Sequence, residues 1–82
     1  MTKVEKKLLQ EREADLFLKK EQYRNWFGKD SNLAVRASSE WMSIYEVLDL
    51  LDVEVDPNLP ANKEAQDLVL ANEIIETQLA NQ

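Results

Sequence analysis

Gly28 is the only glycine in this chain, and Pro57 and Pro60 are its only prolines. The stretch before Gly28 is rich in Glu, Lys, Leu, Gln and Arg, which lose little side-chain freedom in a helix. Strong punctuation at two places therefore predicts three helical segments. The expected spans are about 3–27, 31–51 and 62–80, with an acidic loop over 52–61.

Apolar spacing supports each segment. In the first, Leu9, Leu16, Tyr23 and Phe27 fall within a narrow arc at 100° per residue, flanked by Leu8, Phe17 and Trp26. Gly28 suits the left-handed position that closes a helix. In the second, Ala34, Ala37, Trp41, Ile44, Leu48 and Leu51 repeat at spacings of three and four, a heptad seam. Its start has two readings, one capped by Asp30 or Ser31 and one by Ser38 or Ser39. In the third, Asn62 is the expected cap, and Ala65, Leu68, Asn72, Ile75 and Leu79 continue the heptad spacing. The polar Asn72 either fixes register in a buried seam or lies at the edge of a wider stripe.

The short connection from Gly28 to Ser31 favours an antiparallel hairpin of the first two helices. The expected fold is all-α: a long antiparallel helical hairpin plus a third helix, a small three-helix bundle. That third helix packs across the hairpin or against a second copy. The hairpin brings Lys3, Lys6 and Lys7 towards Asp49 and Asp52.

Composition narrows the function. Eighty-two residues support one domain, which buries only roughly 60–65% of its unfolded surface. Without cysteine, neither a disulfide nor a thiolate site is possible, and without histidine the commonest general base and transition-metal ligand are missing. The charged start, MTKVEKKLLQ, lacks a signal-peptide core, and no apolar run is long enough for a membrane span, so a cytoplasmic protein is expected. The net charge of −6 is uneven, +2 over residues 1–30 and −8 over 31–82. Such a balance disfavours direct binding to nucleic acid, whose affinity depends on clustered Lys and Arg.

Two clusters are candidate surfaces. The stretch LDLLDVEVDP carries Asp49, Asp52, Glu54 and Asp56, which read either as an acidic helix end or as a surface for a basic protein. A calcium loop fits less well, because Pro57 occupies the position that needs glycine and Lys63 the position that needs a bidentate Glu. Tyr23, Trp26, Phe27, Trp41 and Tyr45 form an aromatic set expected to meet at the Gly28 end, either as a small core or, with Arg24 among them, as an exposed recognition patch. The acids of the first helix, Glu5, Glu11, Glu13, Asp15 and Glu21, alternate with lysines and read as a solvated face with local pairs such as Asp15 with Lys19.

The sequence thus leads to a non-catalytic helical module for protein–protein interaction. It acts through self-association, most simply as a homodimer, or through a larger protein. The competing reading is an acidic inhibitor that imitates nucleic acid and occupies a basic protein surface. No enzyme activity, cofactor or metal is expected.

Overall fold

The computed structural model describes residues 1–82 and contains three α-helices with no strand, the all-α fold that the spacing requires. Helix α1 spans Lys3–Phe27, α2 Asn32–Leu50 and α3 Pro60–Ala80. Thr2 caps α1 in a reciprocal box: its hydroxyl accepts from the Glu5 N–H at 3.1 Å, and the Glu5 carboxylate accepts from the Thr2 N–H at 3.3 Å. Ser31 caps α2, accepting from the Ala34 N–H at 3.1 Å while its own hydroxyl donates to the Gly28 carbonyl at 3.0 Å. One residue therefore ends the turn and starts the helix, which selects the earlier of the two possible starts.

Asn62 does not cap α3. The helix begins two residues earlier, with Leu59 at the cap and Pro60 in the first turn, where a missing N–H removes no hydrogen bond and the fixed φ suits a helix. Asn62 is instead buried and serves a different helix.

Two backbone positions turn the chain. Gly28 has φ +88° and ψ 153°, a region closed to side-chain-bearing residues, and its N–H donates to the Arg24 carbonyl at 3.0 Å. Past α2, Asp52 takes the left-handed conformation at φ +57°. The Val53 N–H then reaches back to the Leu48 carbonyl at 2.8 Å and the Asp52 N–H to the Asp49 carbonyl at 3.1 Å. This paired closure is a Schellman motif, with the expected contact positions Leu48 and Val53 both buried.

Helix α1 is central: α2 packs antiparallel on one side, α3 runs in the same direction as α1 on the other, and α2 and α3 do not pack against each other. The loop between them crosses α1, where the Gln10 amide donates to the Glu54 carbonyl at 2.9 Å. The molecule measures 50 × 23 × 16 Å, a layer of helices laid side by side.

Its apolar core consists of Ala14, Leu16, Ala34, Ala37, Leu48, Val53 and Ala65. Four of the seven are alanines, which let helix axes approach closely but bury little area. Helix α3 turns only part of the apolar seam read from its sequence towards α1. Its α1-facing edge includes Asn62, Ala65 and Asn72, whereas Ile75 and Leu79 remain exposed.

The two turn positions give a pair of predictions with opposite sign. Gly28→Ala meets no atom within 4 Å of the new Cβ, so its expected loss of about 1–3 kcal/mol is backbone strain alone. Asp52→Gly relieves both the left-handed strain and a carboxylate at a helix C-terminus, and should raise stability by about 0.5–1 kcal/mol. Urea unfolding of both variants checks the signs.

Candidate functional site

Polar side chains run along the α1–α3 seam. Glu13 is 1% exposed and Glu21 is 0% exposed, so the solvated-face reading fails for both. One carboxylate oxygen of Glu13 accepts from the Trp41 indole N–H at 2.7 Å, and the other accepts from the Asn62 amide at 3.1 Å. Glu13 thereby ties α2 and α3 to the same side chain of α1. Asn62 also donates to the Asp56 carbonyl at 2.7 Å, which anchors the loop.

Two turns further along α1, Glu21 pairs with Arg24 at 2.9 Å and Lys20 at 3.0 Å. The Asn72 amide donates to the Glu21 carbonyl at 3.1 Å and to its carboxylate at 3.3 Å. Asn25 in turn donates to the Asn72 side-chain oxygen at 2.9 Å. Asn72 therefore sits in a buried seam, where it helps fix register between α1 and α3. Arg24 completes the set with two bonds to Glu76, at 2.7 and 2.6 Å. This hydrogen-bonded pairing raises the Arg24 pKa and holds the Glu76 carboxyl below its ordinary 4.5, against the opposing effect of burial. No buried side-chain polar atom lacks a partner.

The acidic residues occupy the opposite end of the molecule. Asp49, Asp52 and Glu54 line one open cavity of about 290 Å³ together with Tyr45 and Leu48. Asp56 is engaged differently: its carboxylate accepts from the Asn58 N–H at 3.0 Å in a local turn. None of the four carboxylates forms an ion pair, so Lys3, Lys6 and Lys7 do not neutralise them. The helix end is stabilised by backbone closure, which leaves these charges facing water. The Asp15–Lys19 pair is also absent, because Lys19 reaches across to Glu40 of α2 at 3.1 Å.

The aromatic set divides in two. Tyr23, Trp26 and Phe27 stack on one another at the Gly28 end, with centroids 5.7 to 6.3 Å apart. Trp41 lies near the middle of α2, 5.4 Å from Phe17 and 5.2 Å from Tyr45. The Lys20 ammonium sits 4.7 Å from the Trp41 ring centre. With its N–H on Glu13 and its face under Lys20, Trp41 is part of the framework. Arg24 points to Glu76 and Glu21 and takes no part in an aromatic patch.

Sequence spacing offered one clue to the seam, Asn72 at a heptad position. Glu13 and Glu21 gave none, because nothing near them in sequence marks the groups on α2 and α3 that receive them.

Glu21 makes Arg24 a sensitive position. Arg24→Met leaves a fully buried carboxylate short of its guanidinium, with an expected loss of about 3 kcal/mol in urea unfolding. Because the folded-state pKa of Glu76 is depressed, its contribution is fully present above about pH 4.5 and is lost as pH falls through the lower folded value. Glu76→Gln should flatten that part of the stability–pH curve.

Compared with protein-family models, curated proteins and solved structures, the chain matches none, and its functional reading rests on its own residues.

Proposed function

We propose that this chain is a non-catalytic protein–protein interaction module of the cytoplasm, working through its outer helical faces by self-association or by docking on a larger protein. One observation carries the reading. Sixteen large apolar side chains are exposed, more than twice the number of apolar residues in the core. Apolar side chains left outside in such excess over the core favour association with a second surface. The buried carboxylates support the same view, since Glu13 and Glu21 are already taken up by Trp41, Asn62, Arg24, Lys20 and Asn72. A substrate would have to displace partners that hold the fold together. No helix is long and apolar enough to cross a membrane.

A second reading follows from Asp49, Asp52 and Glu54, whose unpaired carboxylates share one cavity rim. An inhibitor that imitates nucleic acid would present such groups to a basic protein.

Salt separates the two readings. Affinity capture from a native lysate, repeated at low and high ionic strength, should retain its partners at high salt if apolar faces make the contact. Loss of every partner at high salt, together with loss on replacing Asp49, Asp52 and Glu54 by Asn or Gln, would instead establish the acidic inhibitor.

A further inference from the structure

The layer of helices exposes more surface than a chain of its mass requires. A compact monomer of 9.5 kDa exposes about 5,050 Å². This chain exposes 5886 Å². The excess of about 800 Å² is what each partner buries in an interface of standard size. A second copy of the chain meets that need without any further component.

The position of the contact follows from charge. A chain of net charge −6 repels itself over most of its surface, and the acidic end around Asp49, Asp52 and Glu54 most of all. The other end is different. Between the last turns of α1 and α3 lies an open groove of about 580 Å³, with Phe27, Ile75 and Leu79 as its large apolar walls. The charged groups on it, Arg24, Lys29, Asp30 and Glu76, sum to zero, and Glu76 is already neutralised by Arg24. From Ile74 to Gln82, Glu76 is the only charged side chain.

We propose that this groove is the contact of a two-fold homodimer, in which each copy places the Ile75 and Leu79 ridge of its α3 against Phe27 of the other. The inference deepens the interaction reading above and rests on it. It also gives a role to Ile75 and Leu79, the two positions of the heptad seam that α1 leaves exposed. An isologous contact of this kind closes on itself and leaves the acidic ends pointing outward.

Light scattering and sedimentation of the full chain, over a wide range of concentration, test the assignment. The wild type should move from one chain mass, 9.5 kDa, to twice that value as concentration rises. Ile75→Lys and Leu79→Lys, combined, should remain at one chain mass throughout. Both positions are exposed, at 44% and 62%, and a cation near a helix C-terminus favours the helix, so the variant keeps its fold by circular dichroism. The added lysines also reduce net charge, so a loss of association reports the groove and not general repulsion. Leu50→Lys, at a site 84% exposed and outside the groove, should dimerise as the wild type does. A wild type that stays at one chain mass overturns the homodimer. Salt-resistant capture of a larger protein would then leave the interaction reading standing. A double variant that still dimerises, or a Leu50→Lys variant that does not, overturns the location.

Discussion

The fold depends on burying the carboxylates of Glu13 and Glu21 on the central helix. Removing a charge from water costs several kcal/mol unless its oxygens are met by well-placed donors. Here the donors come from both flanking helices: Trp41 from α2, and Asn62 and Asn72 from α3. Slippage of α3 by one turn along α1 would take the Asn62 and Asn72 amides from the two buried acids and leave those amides without these acceptors. The polar seam therefore specifies register where apolar contacts alone would tolerate several alignments.

This solution suits a chain with a small apolar core. Alanines at 14, 34, 37 and 65 let the helices approach, but each contributes little area, so packing alone leaves a thin margin. The larger apolar residues were not spent on closing a bundle. With α2 and α3 on opposite sides of α1, neither covers the other, and Leu33, Val47, Ile74 and Ile75 remain outside. The arrangement that places every buried polar group also leaves large apolar side chains exposed, the observation on which the proposed association rests.

The two ends of the layer differ in character. One gathers unpaired acids around a Schellman turn, and the other combines apolar side chains with balanced charge. In the proposed dimer, contact at the neutral end would keep the two negative ends apart, because like charges repel.

Sequence alone determined the three helices, the hairpin at Gly28 and the absence of histidine and cysteine chemistry, because helix propensity, caps and chain breaks act over a few residues. Even locally, some signals were missed: Thr2 and Glu5 spell a capping box, and Pro60 marks a first turn. The face that α3 turns inward was decided only by tertiary structure. Its heptad pattern placed Ile75 and Leu79 in the core beside Asn72, yet Asn62 and Glu76 turned towards α1 with Asn72 because its charged and polar groups receive them. Nothing beside Glu21 in the chain distinguishes it from the solvated Glu5. Whether a carboxylate is buried depends on a donor about fifty residues away, and that pairing exists only once the helices have come together.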